Sequence, residues 1–307
     1  MSISAADVKE IRELTGAGMM DCKKALEETA GDKQKAIDYL RTKGLSSAAK
    51  KQGRIAAEGL ILTKVQKNQA VIIEVNCETD FVAKNIDFVN YIENLSNALI
   101  ENKIGTVEEL LAVKFNGESF SEIQNGLVLK IGEKIALRRF QYLSSTGWHL
   151  SNYTHSGKIG VLLAFSSSKP EAFVNNSEFA MMQKDICLHI AASDTKFISS
   201  DEMDETFKNK EAEIYAAQLK EQGKDEKMIP NIVKGKLSKL ASEVCLLDQK
   251  FVKNPDITIQ QLLNDFSKKS GSVIKIEKYI KYTLGEGIEK KVENFADEVN
   301  KMKSGQA

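Results

Sequence analysis

The side chains able to do bond-making chemistry are few and scattered. Four cysteines (Cys22, Cys77, Cys187 and Cys245) and three histidines (His149, His155 and His189) are spread over 307 residues. No cysteines stand in a C-x-x-C pair and no histidines in His-x-x-x-His spacing, so the sequence offers no zinc ligand set. His155-Ser156-Gly157-Lys158 holds the Gly-Lys pair of a phosphate loop. It lacks the upstream glycine, however, and Ile159 stands where such a loop needs Ser or Thr. Cys77 with Asp80 and a histidine would be a nucleophilic site only if something oriented the base, and the spacing supplies nothing. The inventory favours binding over catalysis, with no cofactor.

The stretch best suited to binding is Cys77-Glu78-Thr79-Asp80-Phe81-Val82-Ala83-Lys84-Asn85. Before it, Ala70-Val71-Ile72-Ile73-Glu74-Val75 is apolar and β-branched, as in a strand. After it, Phe88, Ile92, Leu95 and Leu99 recur at helical spacing. An acid and a large aromatic therefore share a connection between two rigid elements, where a scaffold holds side chains for recognition. Two readings are open for Phe81 and Val82: folded back beneath the loop as a satellite of the core, or projected from it.

The elements that must position this loop follow in chain order. Residues 4 to 44 read as three short helices. Ser4 caps the first, with Val8, Ile11 and Leu14 on its apolar face, and Gly16 and Gly18 break it. The second turns Cys22, Ala25 and Leu26 inward; Asp32 caps the third, which buries Ala36, Ile37 and Leu40 and stops at Gly44. Met19 and Met20 are adjacent, so their side chains point about 100° apart and one small core cannot take both. At least one is expected at the surface, where a flexible thioether suits a partner's groove. Ser46 to Arg54 is small, polar and basic, as in an interdomain linker.

From Ala57 a strand, a turn at Asn68-Gln69 and a second strand lead to a helix capped by Asn85. Short helices are expected at 107–113 and 119–128, then a strand carrying Ile135 and Leu137, with Gly132 allowing a tight backbone. Hairpin and helix then repeat, with 152–158 leading into a strand at 159–165 and a helix at 178–191, suggesting an internal duplication. Residues 203 to 247 become charged and helical, with Val233, Leu237, Leu240, Val244 and Leu247 on a two-heptad seam that suits a projecting helical hairpin. A last strand at 273–282 precedes a helix whose face is Ile288, Val292, Phe295 and Val299.

Composition bounds the function further. Lys plus Arg equals Asp plus Glu at 43 each, giving zero net charge and no general attraction to nucleic acid or an anionic membrane. With 42% hydrophobic residues and only 3 prolines, the chain reads as ordered and helix-rich. Isolated cysteines, no membrane-length apolar run and no signal-like N-terminus make a cytoplasmic location the expectation.

Thr79 to Asn85 resembles the signature loop of the elongation factor Ts family, nucleotide-exchange factors for the translational GTPase elongation factor Tu. Gly16-Ala17-Gly18-Met19-Met20-Asp21-Cys22-Lys23-Lys24-Ala25-Leu26 and Gly285-Glu286-Gly287-Ile288-Glu289-Lys290 are similar to two further family strings. His189 to Ser193 and Ile232 to Leu237 match as well. The resemblance runs in order over nearly the whole chain. It implies an α+β fold: a three-helix ubiquitin-associated-like N-terminal module with linker (1–54), a duplicated core of antiparallel sheets and helices (55–148; 149–202 with 246–281), an inserted coiled-coil helical hairpin (203–245), and a C-terminal module with a helix (282–307). It further implies that Thr79, Asp80, Phe81 and Val82 dislodge Mg²⁺ from elongation factor Tu, while Met19, Met20, Lys23, Ile131, Gly132 and His155 touch that partner. No direct nucleic-acid or membrane partner is implied; a homodimer through the hairpin, or a 2:2 complex, is. A non-catalytic adaptor working through Met19 and Met20, and an RNA-binding translation factor, are the alternatives from other classes; neutral charge disfavours the latter.

Overall fold

A computed structural model describes residues 3–173 and 176–289. They fall into two compact units. The first holds residues up to Leu62, Ile73–Phe140 and those from Thr283 on; the second holds Thr63–Ile72 and Gln141–Tyr282. Helices and antiparallel pairings coexist, so the class is α+β.

The first unit opens with α1 (Ala5–Thr15), α2 (Met19–Glu28) and α3 (Lys33–Lys51). Ser4 and Asp7 form a reciprocal capping box on α1, and Asp32 caps α3 by accepting from Lys35 N–H. Val8, Ile11, Cys22, Ala25, Leu26, Ala36 and Leu40 make the small core, as the periodicity requires. Two expectations fail here. Leu14 is exposed rather than part of the buried face. Gly44 does not stop the third helix: α3 runs on to Lys51, through most of the expected linker. The reason lies in packing, because α3 lies against α7 (Phe120–Ile131), and a Cβ on Gly44 would sit 3.2 Å from the Asn125 carbonyl oxygen. The glycine serves close helix approach, and nothing after it breaks the helix.

β1 (Glu58–Gln66) and β2 (Gln69–Cys77) follow, then a one-turn α4 (Asp80–Ala83) and the long α5 (Ile86–Asn102). The sheet order is β1-β2-β5, with β5 at Ile135–Ser144. β2 is central and buried from Ala70 to Cys77, which is why its apolar run is continuous rather than alternating. Asn85 caps α5 through Asp87 N–H, and Phe88, Ile92, Leu95 and Leu99 are buried as expected. Each such side chain contributes about 1.5–3 kcal/mol of transfer free energy. α6 (Val107–Ala112) and the short pair β3 (Lys114–Phe115) and β4 (Glu118–Ser119) lead into α7, which Gly132 ends in the left-handed region at φ 85°. Gly132 is thus a helix cap, not a strand residue.

The second unit carries a sheet of order β10-β7-β6, built from β6 (Trp148–His155), β7 (Ile159–Ser167) and β10 (Ile274–Thr283). Residues 148–155, which show no regular pattern in sequence, pair with β7 from Trp148↔Ser166 to His155↔Ile159. α8 (Ser177–Ala192) packs on this hairpin, and Val161, Leu163, Phe165, Ile186 and Ile190 share one core. In each three-stranded sheet the second strand of a hairpin is central and a later strand completes the other side.

α9 (Glu205–Glu221) and α10 (Ile229–Val244) pack together. Val233 and Leu237 join Leu219 and Ile229 in one cluster, while Leu240 and Val244 join Met203 and Cys245 in another. Leu247, the last seam residue, lies beyond the helix and packs in the main core of the unit. β8 (Lys250–Phe251), β9 (Asn254–Thr258) and α11 (Ile259–Ser270) complete the fold; α11, absent from the sequence reading, buries Ile259 and Leu263. The expected C-terminal face of Val292, Phe295 and Val299 lies outside the described residues. No described helix is long and apolar enough to cross a membrane.

Candidate functional site

Cys77 ends β2 fully buried, its thiol donating to the Thr79 carbonyl at 3.1 Å. The chain then makes the single turn α4. Lys84 N–H donates to the Phe81 carbonyl and Asn85 N–H to that of Val82. Adjacent residues of a turn point about 100° apart, so Phe81 and Val82 face different directions. Val82 and Ala83 are buried, whereas Phe81 is 80% exposed. The sequence left two readings for this pair, and the structure divides them: Val82 packs and Phe81 projects. Val82, 6% exposed, supports the turn from below. Beside Phe81, the Lys84 ammonium bonds Asp80 Oδ2 at 2.7 Å and lies 5.9 Å from the ring centroid.

The turn is held from outside. Thr79 N–H donates to Glu133 Oε2 at 2.9 Å and Thr79 Oγ1 donates to Glu133 Oε1 at 2.7 Å. Glu78 Oε1 in turn accepts from Lys134 N–H at 2.6 Å and from Arg54 at 3.2 Å. Lys134 Nζ then donates to the carbonyls of Gln52 and Arg54. The half-buried Ile131 and the exposed Gly132 immediately precede this clasp, so two groups of sequence candidates share one surface. Glu78 and Glu133 were not singled out from sequence. A pairing across 54 residues leaves no periodic trace, and only the tertiary fold joins them.

On α2 of the same unit Met19 and Met20 are both exposed, 55% and 74%, and Lys23 one turn on is exposed and 3.8 Å from Glu27. Gly18 precedes them as an N-cap without a side-chain bond. Leu14 adds to the apolar surface, and Met19 lines a cleft with Arg12, Gly16 and Lys130. Lys130 Nζ also pairs with Asp87 at 2.8 Å. His155 belongs to the other unit. It sits exposed at the β6–β7 turn, where Ser156 and Gly157 both take positive φ, with Nδ1 3.1 Å from the Tyr153 hydroxyl.

Each unit also holds a buried polar cluster. Glu74, on β2, is wholly buried; Oε1 accepts from Gly285 N–H and Arg138, both at 2.9 Å, and Oε2 accepts from Arg139 Nε at 2.6 Å. Burial opposes its ionisation, but the Gly285 amide and the Arg139 and Arg138 guanidiniums outweigh it, so its pKa lies below the ordinary value. Arg138 also donates to the Glu286 carbonyl. Gly285 has φ 69° and a Cβ there would meet the Ala57 carbonyl oxygen at 2.5 Å, so only glycine fits this clamp. In the second unit, His189 Nε2 lies 2.9 Å from Gln249 Oε1 and its Nδ1 accepts from Val252 N–H. Burial holds that imidazole below its usual pKa, against the Gln249 bond and with Lys281 assisting.

The thiols are packed rather than reactive. All four are free and buried. Burial raises Cys77 and Cys187 to about 12 and Cys245 to about 11, leaving no thiolate for attack at neutral pH. Among the described residues no group of three His, Cys, Asp or Glu side chains is placed to hold a metal ion.

The family model for elongation factor Ts matches residues 78–286. The chain is 46% identical over 306 residues to elongation factor Ts of Clostridium perfringens strain SM101, covering 98% of this chain and 99% of that protein. It is 45% identical over 309 residues to the Clostridium kluyveri protein of the same name, covering 99% of each chain, and 44% identical over 307 residues to that of Clostridium novyi, covering 98% of each. A match of this extent, on a fold whose exposed aromatic stands within the matched region, assigns the family: the chain belongs to the elongation factor Ts family of translation elongation factors.

Proposed function

We propose that this chain is a guanine-nucleotide exchange factor, not an enzyme: it binds elongation factor Tu, displaces the partner's Mg²⁺ and promotes GDP release in the cytoplasm. The observation that carries the reading is Phe81, 80% exposed on a braced one-turn helix with Asp80 beside it. Burying that ring against a partner would return about 1.5–3 kcal/mol.

Exchange follows from linkage. A factor that prefers the nucleotide-free GTPase weakens nucleotide binding by the same ratio. A weakening of about 10⁴ requires about 5.5 kcal/mol of differential binding energy. Phe81 wedges between elements of the partner while Asp80 disturbs the Mg²⁺ region; magnesium demands near-ideal octahedral geometry, so a small displacement expels it. Thr79 positions this turn. Met19, Met20 and Lys23 dock the N-terminal helices, and Ile131, Gly132 and His155 add contacts.

In this reading residues 1–54 form a ubiquitin-associated-like docking module. The β1-β2-α5 and β6-β7-α8 arrangements are duplicated half-domains, at 55–148 and at 149–202 with 246–281. The α9–α10 pair at 203–245 is an inserted coiled-coil hairpin through which two copies associate, directly or as a 2:2 complex with partner. Residues 282–307 form a C-terminal module reaching the GTPase domain.

The test is GDP release from elongation factor Tu, followed by stopped flow with a fluorescent nucleotide. The native chain should accelerate release, and Phe81→Ala and Asp80→Ala together should remove most of the acceleration. Full stimulation by the double variant would overturn the wedge. Binding through Met19 and Met20 with no effect on release would favour the adaptor reading.

A further inference from the structure

We propose that Glu133 is the positioning residue of the exchange site, holding the Phe81 turn in its projecting orientation through Thr79; this rests on the exchange reading above. The turn cannot hold itself. α4 has four residues, and its N-cap Thr79 makes no side-chain bond to the helix it caps. A helix this short lacks the cooperative hydrogen bonding that sustains longer ones. The Thr79 hydroxyl is spent instead on Glu133, together with the Thr79 amide, so one carboxylate fixes two donors of the residue that starts the turn. Fork geometry of this kind sets orientation as well as distance.

Glu133 is itself firmly placed. It follows the left-handed Gly132 cap of α7 and precedes β5, whose Ile135 and Leu137 are buried. The neighbouring pair crosses in the opposite sense: Glu78, just before Thr79, accepts from the backbone of Lys134, just after Glu133. Two adjacent residues on one strand of chain thus grip two on the other. Arg54 reaches Glu78, and Lys134 reaches the Gln52 and Arg54 carbonyls, which ties the clasp to the chain leaving α3. With Val82 buried below, the clasp keeps Phe81 from folding onto its own surface, so the entropy of orienting the wedge is settled before encounter.

The experiment is a double-mutant cycle on GDP release from elongation factor Tu at saturating factor, with Glu133→Ala, Phe81→Ala and the combination, plus the near-isosteric Thr79→Val. Glu133→Ala is expected to slow saturated release about tenfold. Thr79→Val, which keeps the amide bond, should slow it less, and Glu133→Gln, which keeps one acceptor, should recover part of the loss. Added to Phe81→Ala, Glu133→Ala should change nothing further, because there is no wedge left to orient. Native release by folded Glu133→Ala, or an equal loss with and without Phe81, overturns the positioning role. If Glu133→Ala does not fold, native release by Thr79→Val overturns it instead. Native release by Phe81→Ala alone would overturn the wedge, and the positioning role with it; no acceleration of release by the native chain would instead mark failure of the exchange reading itself.

Discussion

Arg139 Nε lies 2.6 Å from Glu74 Oε2, and Glu74 exposes none of its surface to water. The arginine bridges onward to Glu286 Oε2 at 3.1 Å, so a carboxylate in the central strand anchors the segment that follows β10. Removing one partner of such a pair leaves desolvated charge behind, which is more damaging than replacing the whole set.

Glu74→Ala should therefore destabilise by about 3 kcal/mol, the low end for buried pairs because Arg138 and Arg139 keep 27% and 30% of their side-chain surface in water. Urea denaturation at neutral pH measures it. The pH sign follows from the lowered pKa of Glu74. Its stabilisation is whole above the unfolded value and is lost as pH falls through the folded one, so Glu74→Gln should flatten the acid limb of the stability curve.

Phe81 and Val82 are neighbours with opposite roles, and stability should separate them. Val82→Ala, at a site 6% exposed, should cost about 1.5–3 kcal/mol. Phe81→Ala, at a site 80% exposed, should stay within about 0.5 kcal/mol of native. Thermal denaturation of both checks the division. A large loss on Phe81→Ala would mean that the ring packs in solution.

His189 should make the second unit acid-sensitive. Its folded pKa is depressed, so its contribution is full above the unfolded value of 6.5, declines as pH falls below it, and is gone once pH passes the folded value. Unfolding free energy measured from pH 7.5 to 5 should fall for the native chain. The slope should be shallower in His189→Gln, whose absolute stability should also be lower by about 1–3 kcal/mol because Gln249 and the Val252 amide lose a buried partner.

Much of this was legible from local pattern. Asp32 and Asn85 announce their helices because an Asx side chain followed by an apolar face has one common use. β2 announces itself as a strand through its apolar, β-branched run, and that run is continuous because the strand is buried on both faces. Gly44 misled for the same reason that others informed. Glycine both ends helices and lets them touch, and only the presence of α7 decides between those uses. The hairpin that holds β6 was legible as a repeat, but the range of β6 was not, because its residues are all half-buried or exposed and no alternation marks them.

By itself, then, the sequence determined the family and most of the element types, because strings, caps and periodicity are properties of neighbouring residues. Only the tertiary structure decided which of two adjacent residues would project into solvent. Phe81 points outward because Val82 fills the space beneath the turn and Glu133, 54 residues from Thr79, holds its start. An orientation set by groups so distant in the chain has no local signature. It exists only once the strand, the helix end and the turn have been brought together.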